Sequence, residues 1–396
     1  MARIGIYGGS FNPPHLGHIL AAQEFQRALK LDLLLFVPAA IPPHKILAPN
    51  SPDGATRMRL LQLAVQDLPF ARVDDMELQR EGASYTVDTL QALRAKYPRD
   101  ELFLCVGTDM FLSFDSWKNA RKILKNTTLG VFCRGEKNEQ TAIKEKRSEL
   151  QRQGAKVELV KNDVIPISST QMRRLLAFHC ADAFLPAGVG DYIRENGLYD
   201  VSARWKNLPM EELEQVVVSL LNPNRVAHVL GCRDTAVELA KRWGADVTDA
   251  ARAGILHDIT KALDGPLQLT LCEAYGKILS DFSRKYPKTL HALTGSLVAE
   301  RIFGENEAVV SAIRYHTTGK AGMNLLETIV YVADYMEPNR DFPGVEKLRA
   351  LAFTDLPSAL KLGLEMTMEH LKKQGSEVSP ESREALAYLN GGSDPC

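Results

Sequence analysis

The stretch Gly8-Gly9-Ser10-Phe11-Asn12-Pro13-Pro14-His15-Leu16-Gly17-His18 constrains this chain more than any other. It follows an apolar strand-like run over residues 3–7 and precedes an amphipathic helical run over 16–30. A strand must end and a helix begin within about ten residues. Two glycines let backbone approach a ligand without side chains in the way. Two prolines stiffen the loop and suit the first turn of the helix that follows. His15 and His18, three apart, are expected on one side of that turn. The helix N-terminus adds free N–H groups and a partial positive charge. Together these features predict a site for a polyphosphate. The spacing is neither GxxxxGK[ST] nor GxGxxG, so the commonest phosphate loops are excluded.

Residues 1–200 alternate strand and helix signals. Strands are expected at 3–7, 33–37, 102–106, 129–133 and 156–160, with helices at 16–30, 56–67 and 86–97. That alternation predicts a parallel sheet with helices on both faces. The charged run 136–153 reads as the solvated face of a crossover helix. From about 210 to 390 the strand signal vanishes and helical periodicity takes over. A linker is therefore expected at 201–210, with Arg204-Trp205-Lys206 able to dock on either side, a second domain at 211–390, and a flexible tail at 391–396. At 396 residues, 45% of them hydrophobic, the chain is long enough for two cores.

A second signature lies in the first half. Ile167-Ser168-Ser169-Thr170-Gln171-Met172-Arg173 follows a strand and opens a helix. Hydroxyls of Ser169 and Thr170 can cap that helix and meet a phosphate, and the Arg173 fork can clasp phosphate oxygens. With the His15–His18 loop, this stretch resembles the HxGH nucleotidyltransferase superfamily and its ISSTxIR signature, with Met172 where Ile is usual. Three more stretches resemble nicotinate-nucleotide adenylyltransferases: Pro43-His44-Lys45, Ser84 to Leu90, and Gly107-Thr108-Asp109-Met110 followed by Trp117. The ending Asp191 to Tyr199 does so too. Asn12 departs from that family, where Asp is commoner, and so lacks a charge.

This resemblance covers 1–200 and implies a Rossmann-like α/β domain. It implies in-line attack of the nicotinate mononucleotide 5′-phosphate on the α-phosphorus of ATP, with Mg²⁺. ATP would be held by Gly8, Gly9, Ser10, Phe11, His15, Gly17, His18, Gly107, Asp109, Ile167, Ser168, Ser169, Thr170 and Arg173. The mononucleotide would be held by His44, Lys45, Tyr85, Thr86 and Trp117. His15, His18, Lys45 and Arg173 would neutralise the developing charge.

The second half carries His228, His257, His291 and His316 beside apolar helical runs. His370 sits in a more polar helix and is set aside. Asp258 follows His257, and Asp334 shares a face with Leu326, Ile329, Val330 and Ala333. A carboxylate on a buried face calls for a partner or a metal. The order H…HD…H…H…D resembles the HD-domain phosphohydrolases. The stretch Ala312 to Arg349 resembles the YqeK-type HD family, the symmetrical bis(5′-nucleosyl)-tetraphosphatases. This resemblance covers 210–390 and implies an all-α HD-domain. It implies one or two ions, iron or manganese: His228, His257, Asp258 and Asp334 at one, His291 and His316 at the other, Asp258 bridging. Lys261 and Arg340 would bind phosphate, and diadenosine tetraphosphate would be cut to two ADP.

The net charge of −1 gives no pointer to nucleic acid or to an anionic membrane. No apolar run reaches the roughly 18 residues that span a bilayer. No signal peptide is read at the N-terminus, and six scattered cysteines without CxxC suit free thiols, so a cytoplasmic enzyme is expected. A homo-oligomer is compatible with both resemblances. Alternatives stay open: another acceptor for the first domain, and for the second a regulatory role or another phosphate substrate.

Overall fold

The computed structural model describes residues 1–43, 46–134, 137–162 and 167–391. The expected mononucleotide ligands His44 and Lys45 and most of the expected tail lie outside the described residues. The chain divides into two compact units, Met1–Ala203 and Arg204–Cys396.

Among the described residues the first unit holds six strands: β1 (Arg3–Gly9), β2 (Leu33–Pro38), β3 (Ala71–Val73), β4 (Glu101–Gly107), β5 (Thr128–Arg134) and β6 (Lys156–Asn162). All pair in parallel, in the order β3-β2-β1-β4-β5-β6. Sequence reading missed β3, because three residues are too few to show a period of two. The helices of this unit are α1 (Leu16–Leu29), α2 (Gly54–Val65), α3 (Thr86–Lys96), α4 (Thr108–Leu112), α5 (Ala120–Asn126), α6 (Lys137–Arg152), α7 (Ser169–Ala177) and α8 (Val189–Glu195).

Each inner strand is apolar on both faces, as a sheet covered on both sides requires. Ile4, Ile6, Leu35, Val37, Leu102, Leu104, Leu129 and Val131 form one core with Leu90 and Leu93 of α3 and Ile143 and Leu150 of α6. The alternate residues Tyr7 and Phe132 meet α1 through Phe25, whose ring lies 5.8 Å from Tyr7 and 5.5 Å from Phe132, and Phe36 packs 5.4 Å from Tyr7. Gly130 permits this approach: a Cβ there would stand 2.6 Å from Leu29 Cδ1. Strand order reverses between β1 and β4, and ligands of open parallel sheets sit beyond the strand ends at such a point.

The prolines do not start α1, contrary to the sequence expectation. His15 is its N-cap, in extended conformation, and Pro13-Pro14 stay in the loop. Each proline pushes its predecessor out of the helical region, so Asn12 and Pro13 cannot join a helix.

The second unit contains α9 (Met210–Leu220), α10 (Pro223–Trp243), α11 (Val247–Leu256), α12 (Gly265–Ala274), α13 (Asp281–Lys285), α14 (Leu290–Val298), α15 (Glu307–Tyr315), α16 (Leu325–Met336), α17 (Val345–Ala352), α18 (Leu356–Lys373) and α19 (Pro380–Leu389). Helices α10, α11, α15 and α16 pack on one another. Gly254 lets α10 and α11 cross in close contact, since a Cβ there would lie 2.7 Å from Arg233 Cα. Asp246, Asn306 and Asn324 cap α11, α15 and α16 through backbone N–H groups three residues on. The segment expected as a linker belongs to this unit from Arg204 onward: Trp205 stacks on Phe303 at 5.8 Å, and Asn207 N–H donates to Phe303 O. Among the described residues no helix is long and apolar enough to cross a membrane.

Candidate active sites

In the first unit, Gly8 and Gly9 end β1 and Gly107 ends β4, so the glycines flank the reversal point of the sheet. The His15 and His18 rings lie 3.7 Å apart, tilted by 34°. His15 N–H donates to His18 Nδ1 at 3.2 Å. In the neutral His18 ring the proton then sits on Nε2, which makes that atom a hydrogen-bond donor.

The second signature is stitched to the same loop. Ser169 Oγ donates to Pro13 O at 3.1 Å, and Arg173 Nη1 donates to Asn12 O at 2.7 Å. Gly17 leaves room for this: a Cβ there would meet Ile167 Cγ2 at 3.1 Å. The helix cap differs from expectation. Ser168 caps α7, accepting from Gln171 N–H, while Ser169 faces the loop and Thr170 Oγ1 lies 3.3 Å from Arg173 Nη2. One position decides this, because only the residue just before the first turn has its side chain beside the free N–H groups.

A cavity of about 370 Å³ opens beside Gly8, Gly9 and Ser10. Tyr85, Thr86, Trp117 and Lys118 form its other wall, and Lys118 Nζ lies 4.0 Å from the centre of the Tyr85 ring. The Trp117 ring packs 5.1 Å from Phe114. Asp109 is exposed in the first turn of α4, which Gly107 precedes as N-cap. Sequence reading missed Glu77, which lines the cavity and whose pKa burial raises above the usual carboxylate value. It also missed Arg57, which is buried on α2. A signal existed: Arg57 shares a helix face with Leu60, Leu61 and Ala64.

In the second unit, six side chains from separate elements converge. His228 comes from α10, His257 caps the C-terminus of α11, His291 opens α14, His316 caps the C-terminus of α15, and Asp334 comes from α16. Asp258, 1% exposed, stands between them. Its Oδ2 lies 3.6 Å from Nε2 of both His228 and His257, and its Oδ1 lies 3.4 Å from His291 Nε2 and 3.8 Å from His316 Nε2. Asp334 Oδ1 joins the first pair, 3.1 Å from His228 Nε2 and 3.7 Å from His257 Nε2.

All four rings turn Nε2 inward because each Nδ1 is engaged outside. His257, His291 and His316 direct Nδ1 to the carbonyls of Gly254, Lys288 and Ile313 at 2.7–2.8 Å. His228 Nδ1 meets Glu337 Oε1 at 3.1 Å. Burial holds His257 and His291 well below the usual histidine range and His316 at about 4, so these rings are neutral at pH 7. Neutral imidazoles with Nδ1 fixed by an outer acceptor are metal-ready. Donors bonded to one ion at about 2.0–2.2 Å stand about 3–3.6 Å apart, and the separations here, 3.1–3.8 Å, are close to that. The residues fit one or two divalent ions.

Among the described residues, Arg225, Arg340 and Lys261 border the cluster. Arg225, missed from sequence, pairs with Asp258. Arg340 donates to Asp334 Oδ1 at 2.7 Å, and Lys261 Nζ lies 3.0 Å from His291 Nε2. Lys261 and Arg340 thus sit on the cluster's own ligands. A cavity of about 510 Å³ runs from His316, Asp334 and Arg340 to Tyr335, Phe342, Met366, His370 and Lys373. His370, set aside in the sequence, therefore lines the space beside the cluster.

A parallel-sheet phosphate loop and an all-helical cluster of histidines and aspartates define a nucleotidyltransferase joined to an HD-type phosphohydrolase. Residues 6–175 match the cytidylyltransferase-like family, and residues 225–339 match the HD domain. A Borreliella burgdorferi protein named "Probable nicotinate-nucleotide adenylyltransferase" is 36% identical over 50% of this chain and 96% of its own length. A Bacillus subtilis protein named "Bis(5'-nucleosyl)-tetraphosphatase, symmetrical" is 40% identical over 46% of this chain and 98% of its own. A crystal structure of an HD superfamily hydrolase from Clostridium acetobutylicum, described as involved in NAD metabolism, is 36% identical. It covers 46% of this chain and 98% of its own, with a TM-score of 0.45. The chain belongs to the nicotinate-nucleotide adenylyltransferase family through its first half and to the symmetrical HD-domain tetraphosphatase family through its second.

Proposed function

We propose that this protein is bifunctional. The first half transfers the adenylyl group of ATP to nicotinate mononucleotide, giving the deamido form of NAD and pyrophosphate. The second half hydrolyses diadenosine tetraphosphate at its centre, giving two ADP.

In the first reaction a 5′-phosphate oxygen of the mononucleotide forms a bond to the α-phosphorus of ATP, and the bond to the β-phosphate oxygen breaks. No protein nucleophile is required, so the site acts by positioning and charge neutralisation. His18 offers Nε2–H, the start of α1 offers backbone N–H groups, and Arg173 steadies the loop. Tyr85, Thr86 and Trp117 form the acceptor wall, with an indole face suited to a pyridine ring. Mg²⁺ arriving with ATP supplies further charge neutralisation on the phosphates. The observation that carries this reading is the stitching of the Ser168–Arg173 segment to the His15–His18 loop at the sheet's reversal point.

In the second unit, His228, His257 and Asp334 would hold one ion and His291 and His316 another, with one Asp258 oxygen toward each. Divalent ions bound there supply a water of lowered pKa and Lewis-acid polarisation of a phosphoanhydride. Arg225, Arg340 and Lys261 add positive charge for a polyphosphate, and the Tyr335–Phe342 wall offers aromatic surface to a base. The division of the two Asp258 oxygens between the two histidine pairs carries this reading.

The test uses the whole protein with manganese or ferrous iron. It is incubated with diadenosine tetraphosphate, and separately with ATP, Mg²⁺ and nicotinate mononucleotide, and the products are separated by chromatography. ADP as sole product of the first and deamido-NAD from the second support the reading. ATP plus AMP from the first, or transfer only to another acceptor in the second, would sink the corresponding half.

A further inference from the structure

Arg57 of α2 is 1% exposed, and among the described residues it forms no ion pair. A buried guanidinium without a carboxylate is costly unless its N–H groups are well used. Here Nη1 and Nη2 reach two loops at once, while Nε has no hydrogen-bond partner among the described residues. Nη1 donates to Ser10 O at 2.8 Å, and Nη2 donates to Ala39 O at 2.8 Å and more weakly to Ala40 O at 3.5 Å.

Those loops carry opposite sides of the first active site. Ser10 lies in the phosphate loop after β1, whose far end Arg173 holds at Asn12 O. Ala39 and Ala40 follow β2 and lead to Pro42 and Pro43, which line the cavity with the acceptor wall. The two loops are also tied directly, by Ala39 N–H to Gly9 O at 2.9 Å. Ala40 N–H then reaches Ser84 Oγ at 3.0 Å, beside Tyr85 and Thr86. A planar fork can bridge two carbonyls in fixed geometry, which a lysine ammonium cannot reproduce.

We infer that Arg57 is a positioning residue which locks the ATP-binding loop to the acceptor-binding loop, so that attacking oxygen and α-phosphorus are held in line. It touches neither substrate. The inference rests on the adenylyl-transfer reading of the first half.

The test compares the full-length chain with Arg57→Lys and Arg57→Met. Steady-state adenylyl transfer gives kcat and both KM values, thermal melting reports folding, and diadenosine tetraphosphate hydrolysis serves as internal control. Misplacement by about 1 Å costs about 10²-fold in rate, so kcat should fall about 10–100-fold in Arg57→Lys. Both KM values should stay within about threefold, the pattern of an interaction that matters in the transition state. Wild-type kcat in a folded Arg57→Lys protein, with only a lowered melting temperature, would show a structural role and overturn the inference. So would a rise in the KM of one substrate alone. Should Arg57→Lys not fold, Arg57→Met decides by the same criteria, since an apolar side chain suits the buried face. A wild-type chain without adenylyl transfer would instead defeat the reading on which the inference rests.

Discussion

Replacing Asp258 by Asn perturbs the second unit most sharply. The substitution keeps shape but removes charge, and it turns one of two oxygens into an NH₂ that cannot ligate an ion. Those oxygens serve opposite histidine pairs at 3.4–3.8 Å. Whichever way the amide faces, one pair loses its shared donor. His228 and His257 still have Asp334. His291 and His316 have no other carboxylate within ion-pairing distance among the described residues, so they would retain two imidazoles, fewer than the three protein ligands usual in a catalytic site. The loss of metal affinity should exceed the ~10–100-fold that follows from removing an outer-shell partner alone. Stability should change less. Arg225 loses its anionic partner, but its side chain is 30% exposed. The cost is therefore placed at about 1–2 kcal/mol, below the figure for a fully buried pair, or a fall of about 2–8 °C in Tm. Metal per chain is measured by plasma mass spectrometry, hydrolysis by chromatography and adenylyl transfer on the same sample. Metal content should drop, hydrolysis should fall about 10²-fold or more, and transfer should be unchanged. A folded Asp258→Asn protein with full metal content and wild-type hydrolysis would refute the bridging role. Loss of transfer would refute the independence of the two sites.

The other perturbations separate the sites further. His18→Ala should cost about 10²–10³ in kcat for adenylyl transfer, the scale for one lost donor to developing charge, while hydrolysis stays intact; equal loss of both would contradict the assignment. Glu337→Gln weakens the acceptor behind His228 Nδ1. It should reduce metal affinity about 10–100-fold with the cluster otherwise kept, as read by metal titration of the apoprotein; unchanged affinity would remove Glu337 from the outer shell. Glu77 has its pKa raised by burial, opposed by the Thr89 hydroxyl. Its contribution to stability is present below the unfolded-state pKa and is lost as pH rises through the folded-state value. Glu77→Gln, which removes the charge, should therefore raise Tm near pH 8 and converge with the wild type in acid. A lower Tm than the wild type at pH 8 would contradict a destabilising buried carboxylate.

The division into an α/β half and a helical half was legible because period-two and period-3.6 patterns are local properties of the chain. The tight turn from β1 to α1 was legible for the same reason: glycines, prolines and histidines act on a few neighbouring residues. The six candidate metal ligands could be singled out because four imidazoles and two carboxylates beside apolar helical runs are chemically conspicuous, and their assignment to ions came with the resemblance to the HD-domain phosphohydrolases. Tertiary structure decided where those groups meet. That both Asp258 oxygens are shared between histidine pairs depends on α10 and α11 crossing in backbone contact at Gly254. The role of Arg57 could not be read, since it depends on backbone carbonyls of Ser10 and Ala39, which no side-chain pattern encodes. Arg225 and Glu337 were passed over because a single charged residue on a helix or at its end is ordinary until its partner is known. His370 was discarded for its polar helix, yet the packing of α18 beside α16 brings it to the cavity at the cluster. Local sequence sets periodicity, turns and the supply of reactive groups; the long-range packing of helices and strands sets which of those groups come within bonding distance.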